Sequence, residues 1–121
     1  MNDERFRHKW WGWGADDVTY DMTSRTAFWP WIQRVAGISS RATVFDPVDR
    51  ARVQLPSRRT NCEVETLIRS LLSPDQVRTD DDDRLAHAYG RSYRDLVRIR
   101  SGSVDSAPDL VVYPETHEDV V

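Results

Sequence analysis

The chain is 121 residues long, 39% hydrophobic and 31% charged, with a formal net charge of −3. That length suits one small domain whose core is diluted by charge, and the acidic balance excludes a global positive field that would draw nucleic acid or an anionic membrane. Cys62 is the one cysteine, which rules out an intrachain disulfide or a CxxC metal site and fits a cytoplasmic setting. No apolar run approaches the ~18 residues of a membrane span, and the opening residues lack the apolar stretch of a secretory signal.

Residues 5–14 are aromatic and basic. Trp10, Trp11 and Trp13 lie among Arg5, Arg7, His8 and Lys9, and Gly12 and Gly14 permit a tight turn. Loop is expected to about Ser24. Phe28, Trp31, Ile32 and Val35 recur at helical spacing, so a helix is expected over 26–38, capped by Thr26 or Ser24 and ended by Gly37. Pro30 is tolerable in its first turn. Residues 39–59, with Pro47 and Pro56, read as an extended connector that packs Val44, Phe45, Val48, Val53 and Leu55 singly.

The clearest helix is expected over 61–72. Asn61 caps it, Val64, Leu67, Ile68, Leu71 and Leu72 form one stripe, and Ser73-Pro74 stops it. Asp80 to Asp83 lack the glycine and terminal glutamate of a calcium loop. A solvated helix N-terminus, where the dipole favours negative charge, is the expectation there. A short helix should run to Gly90. Beyond it Val97 and Ile99 alternate with Arg98 and Arg100 in a strand-like way, which leaves the type of that segment open. Residues 101–108 read as a linker. Leu110, Val111, Val112 and Tyr113 are an apolar run of the kind found in strands buried on both faces. Pro114 ends it, and Thr116 then caps an acidic helix start. The chain reaches Val121 within that turn, and one turn of helix is costly to nucleate alone. The strand–turn–helix unit therefore reads as unfinished, with Val111 and Val112 lacking sheet partners.

Three sets of residues carry a resemblance. Pro108-Asp109, Leu110 to Tyr113, Pro114 and Thr116-His117-Glu118-Asp119-Val120 resemble the entry to the FAD-binding domain of vanillyl-alcohol-oxidase-type flavoenzymes. Lys9-Trp10-Trp11-Gly12-Trp13-Gly14 and Phe28-Trp29-Pro30-Trp31-Ile32 resemble the opening of alkylglycerone-phosphate synthases and their bacterial relatives. Asp83-Arg84-Leu85, His87 to Gly90, Ser92 to Leu96, Arg100 and Gly102 resemble the segment before the FAD domain. Residues 39–59 match weakly.

The resemblance implies an α+β chain. Residues 1–107 would be a mostly helical amino-terminal segment, and 108–121 the first strand of an incomplete PCMH-type FAD-binding domain. The parent enzymes form the ether bond of ether lipids from acyl-dihydroxyacetone phosphate and a fatty alcohol. Their FAD works through N5, exchanging acyl for alkyl without acting as a net redox carrier; oxidation of another substrate, as in FAD-linked oxidases, stays open. The glycine-rich FAD loop, active-site histidines, tyrosine and cap domain of the family would lie beyond Val121. The glycines here, at 12, 14, 37, 90 and 102, form no cluster. No catalytic, cofactor-binding or metal-binding residue is therefore carried over, and no FAD is expected on this chain alone. An inactive truncated fragment is expected, with a downstream fragment bearing the FAD domain as its partner. Trp10, Trp11, Trp13, Val111 and Val112 are the expected structural and docking residues. The alternative is a free-standing interaction module that works through the tryptophans.

His8, His87 and His117 show no ligand spacing. Ser92, Tyr93 and Asp95 lack a histidine partner at a motif-defined position. Arg91, Arg94, Arg98 and Arg100 are expected to pair with some of the 20 carboxylates.

Overall fold

A computed structural model describes residues 8–39, 46–59 and 61–121. The chain forms two compact units, Met1–Asp46 and Pro47–Val121. The described residues hold four α-helices and one two-stranded antiparallel sheet, an α+β arrangement as the sequence indicates. Val44 and Phe45, assigned to the connector, lie outside the described residues, as do Arg5 and Arg7.

In the first unit the aromatic opening is a tight hairpin. His8 bridges Ala15, and the Lys9 N–H donates to the Gly14 carbonyl at 3.0 Å. Gly14 sits at φ 84°, the left-handed region that favours glycine. Helix α1 spans Phe28–Ala36. Neither Ser24 nor Thr26 caps it. A preceding turn, Phe28 N–H to Arg25 O at 2.9 Å, feeds straight into the helix, and Ala27 stands at the N-cap without a side-chain bond. Pro30 removes one donor that would be orphaned in the first turn anyway. Gly37, at φ 65°, ends α1, and the Ile38 N–H reaches back to Gln33 O at 3.0 Å. No residue of α1 is buried.

Among the described residues the buried hydrophobic side chains lie in the second unit: Val53, Val77, Leu85, Leu96, Ile99, Val104 and Val111. Helix α2, Cys62–Leu71, has its predicted Asn61 cap, whose side chain accepts from Glu63 N at 2.9 Å. Ser73-Pro74 begins a 3-10 turn, Pro74–Gln76, that leads into strand β1, Val77–Arg78. Strand β2, Val111–Val112, pairs with β1 in the register Val77↔Val112 and Arg78↔Val111. The run at 110–113 therefore has a sheet partner inside the chain. The expectation of none overlooked β1, because two residues carry no readable alternation.

Helix α3, Asp81–Ala86, is capped by Asp80, which accepts from Asp83 N at 3.1 Å. The four aspartates form a helix start, but they are not uniformly solvated: Asp83 is 1% exposed. Helix α4, Tyr93–Arg100, settles the open segment as helix. Ser92 caps it, and Leu96 and Ile99 are buried three residues apart while Val97 faces solvent. The Ser-x-x-Asp start outweighs the local alternation, since the Ser92 hydroxyl both donates to Asp95 Oδ2 at 2.7 Å and accepts from Asp95 N. Gly102, at φ 78°, turns the chain out of α4, and a Cβ there would lie 3.1 Å from Val48 Cγ2.

Candidate functional site

The Trp hairpin is held by Lys9, the single lysine. Its ammonium donates to the Ala15 carbonyl and to Val18 O at 2.5 Å, and lies 5.9 Å from the Trp11 ring centroid, a cation–π distance. Trp10 and Trp11 are half-buried and Gly12 is buried. Trp13, at the turn, is 62% exposed. Of the three expected anchors, the hairpin thus presents Trp13 most fully. On α1, Trp29 stacks edge-on against Phe28 at 5.2 Å, and Trp29, Trp31 and Val35 are all exposed.

Val111 and Val112 differ in role. Val111 is buried in the core of the second unit, while Val112 is half-buried. The Tyr113 N–H donates to Gln76 O at 2.8 Å. Alternation along an antiparallel ladder then turns the N–H and C=O of Val112 away from β1, toward the free edge of the pair.

A carboxylate node behind this strand was not legible in the sequence. Asp83 accepts from Tyr113 Oη at 2.7 Å and from Arg78 Nε at 3.0 Å, so one buried carboxylate ties α3 to both strands. His87 stands beside it, with Nδ1 2.9 Å from Asp83 O and its ring edge-on to Tyr113. Burial pushes the Asp80 carboxyl up, but the Asp83 N–H and the nearby Arg78 charge outweigh it and hold that group below the usual carboxylate range. Arg84, 4% exposed, donates to Pro108 O at 2.8 Å, Pro56 O at 2.7 Å and Asp81 Oδ1 at 2.8 Å. Asp119 accepts from Glu115 N, Thr116 N and Gln76 Nε2, and Thr116 Oγ1 accepts in turn from Asp119 N at 3.3 Å. The Thr116–Asp119 exchange is the reciprocal bonding of a cap, but it closes a turn, Val120 N–H to His117 O at 3.1 Å, and not the helix start expected there; these bonds, the Glu115 N–H foremost, hold the Asp119 carboxyl low.

These groups are satisfied by one another. Among the described residues no three His, Cys, Asp or Glu side chains are placed to hold a metal ion. Among the described residues the glycines with positive φ, Gly14, Gly37 and Gly102, sit in three separate turns and not in one glycine-rich loop of the kind that fits a flavin pyrophosphate. Ser92 is a helix cap whose hydroxyl is held by the Asp95 carboxylate of the same first turn. His8 and His117 are exposed. Among the described residues no helix is long and apolar enough to cross a membrane.

The chain matches no family model. Alkyldihydroxyacetonephosphate synthase of Trypanosoma brucei brucei is 48% identical over 54 residues, 45% of this chain and 9% of the relative. The synthase of Dictyostelium discoideum is 45% identical over 53 residues, 44% and 9% of the two chains. Protein Rv2250A of Mycobacterium tuberculosis is 33% identical over 108 residues, 88% of this chain and 68% of that one. Two crystal forms of alkyldihydroxyacetonephosphate synthase superpose on 94% of this chain with a TM-score of 0.75 and 25% identity, over 25% and 24% of their own chains. The fold is therefore that of an alkyldihydroxyacetonephosphate synthase-like segment. The chain belongs to the family that includes Protein Rv2250A, and it aligns with about a tenth of the length of the first two curated synthases.

Proposed function

We propose that this chain is the amino-terminal segment of an FAD-dependent alkylglycerone-phosphate synthase-type enzyme, and that it works by docking onto polypeptide that carries the FAD domain. By itself it binds no flavin and performs no chemistry. The assembled enzyme would act in the cytoplasm on acyl-dihydroxyacetone phosphate and a fatty alcohol, with residues 108–121 opening the FAD domain. The observation that carries this reading is the match in fold, over 94% of this chain, to a quarter of a synthase chain. The outward tryptophans support it: buried aromatics dominate interface energetics, and here Trp13, Trp29 and Trp31 face solvent.

The test is co-expression of the tagged chain with the flavin-bearing remainder of the Dictyostelium synthase. The chain alone should purify colourless, and with the remainder it should carry flavin absorbance through gel filtration. Trp13→Ala should reduce the flavin retained. A remainder that is soluble and flavin-loaded but never co-purifies sinks the reading. The Lys9-stapled hairpin favours the second reading, a free-standing interaction module presenting Trp13, and that outcome would select it.

A further inference from the structure

Helix α2 covers its apolar stripe only in part: Ile68 and Leu72 are half-buried, while Val64, Leu67 and Leu71 are exposed. Its ion-paired flank, Glu65 with Arg58 and Arg69, is the better covered side, with Glu65 at 21% side-chain exposure. Arg58 in turn donates to Asp109 O at 2.9 Å, which ties that flank to the segment leading into β2. The outer edge of the apolar stripe faces solvent: Val64 is 49% exposed, Leu67 59% and Leu71 74%, and no residue of α2 is fully buried. These three residues, at spacing i, i+3 and i+7, line one strip about 10 Å long. Scattered exposed leucines need no explanation, but a contiguous strip marks a contact surface.

We propose that the Val64–Leu67–Leu71 stripe of α2 is a docking key that seats in an apolar groove of the flavin-bearing polypeptide. This rests on the docking reading above and names the surface that carries it in the second unit. Two observations select a protein groove. The solved synthases keep this fold over 94% of the present chain and carry about three quarters of their own chain besides, so in the related architecture the fold is joined to much further polypeptide. The charges flanking the stripe are also wrong for a lipid surface. Helices that lie on membranes are rich in Lys and Arg along their polar face, whereas α2 carries Glu63, Glu65 and a single cation, Arg69, already paired with Glu65. A helix laid into a groove through i, i+3 and i+7 anchors is a known recognition mode.

The experiment uses the co-expressed pair with three variants of the full chain. L67E/L71E places two charges on the stripe, L67A/L71A shortens the same side chains while favouring helix, and C62E/T66E adds the same two charges on the opposite, exposed side of α2. The expected result is that the unaltered chain and C62E/T66E retain flavin. L67E/L71E and L67A/L71A should bind at least about tenfold more weakly, the loss of a hot-spot anchor, with unchanged circular dichroism. Flavin retention by L67A/L71A equal to that of the unaltered chain overturns the inference and leaves the docking reading standing, whatever L67E/L71E does to folding. Loss of flavin retention in C62E/T66E as well overturns it by showing a general charge effect. If the unaltered chain retains no flavin, the docking reading falls and takes this one with it. Stripe-dependent binding to phosphatidylglycerol vesicles, or self-association that the stripe variants abolish, each with flavin retention intact, would assign the face to lipid or to a second copy instead.

Discussion

Asp83→Ala is the sharpest probe of the second unit. The substitution removes a carboxylate that is 1% exposed and leaves two donors behind, Tyr113 Oη at 2.7 Å and Arg78 Nε at 3.0 Å. Hydrogen bonds to a charged group are each worth about 1.5–3 kcal/mol, and removing one partner of a fully buried pair costs about 3–5 kcal/mol. Arg78 is 36% exposed at its side chain and lies 3.6 Å from Asp80, so solvent and a second carboxylate recover part of that loss. The expected cost is about 2–4 kcal/mol. For Pro47–Val121, at ~0.05–0.15 kcal/mol per residue, total stability is roughly 4–11 kcal/mol. The variant should therefore be near the edge of folding, with a urea midpoint lowered by about 2 M or more for a slope near 1 kcal/mol/M. Far-UV circular dichroism, which reports α3 and α4 of the second unit, should show the shift. A midpoint change worth less than about 0.5 kcal/mol, the scale of a surface substitution, would refute the node.

Arg84→Lys should lower stability by about 2–3 kcal/mol in the same urea assay, because a point ammonium cannot serve Pro108 O, Pro56 O and Asp81 together as the guanidinium fork does; full stability in the lysine variant would count against that fork. The Asp119 carboxyl is held low by the Glu115 and Thr116 N–H groups, so the order it confers is fully present above its unfolded pKa of about 3.9 and is lost as pH falls through the lower folded value. Amide NMR shifts of Glu115 and Thr116 should move together on acidification below about pH 4 and stay flat in Asp119→Asn. In the free chain the amides of α2 should exchange faster than those of α4, whose Leu96 and Ile99 are buried. Equal protection of the two helices would show that α2 is held by contacts its exposed side chains do not reveal.

What the sequence discloses and what it hides divide by range. Asn61 as a cap, Gly37 as a terminator and Ser73-Pro74 as a stop are local devices, and each appears at its expected position. The segment after Gly90 misled the alternation test because Val97 and Ile99 were weighed without the Ser92–Asp95 start. The node escaped notice because Tyr113 and Asp83 are 30 residues apart, and Arg84 and Pro56 are 28 apart. No local pattern encodes such pairs, so Asp83 read as one more solvated aspartate. Among the expected docking residues, Trp13 lies in the tight turn that its flanking Gly12 and Gly14 permit. That Val111 would be the buried member of its pair and Val112 the edge member depends on β1, which is too short to announce itself.

The stripe on α2 was legible as a stripe, but periodicity reports a face and never its partner. Helices of nine or ten residues, such as α1 and α2, are marginal in water by themselves, because nucleation fixes several dihedral angles for one hydrogen bond. The Asn61 cap is worth about 1 kcal/mol and the Glu65–Arg69 pair about 0.3–0.5 kcal/mol. These local terms favour the helix without requiring any apolar residue at positions 64, 67 and 71. Solubility argues against leucine there. Fully burying one such side chain is worth roughly 1.5–3 kcal/mol, more than the cap and the ion pair together for two of them. With Ile68 and Leu72 already half-buried, the burial still open to α2 is that of Val64, Leu67 and Leu71, which the proposed docking would supply.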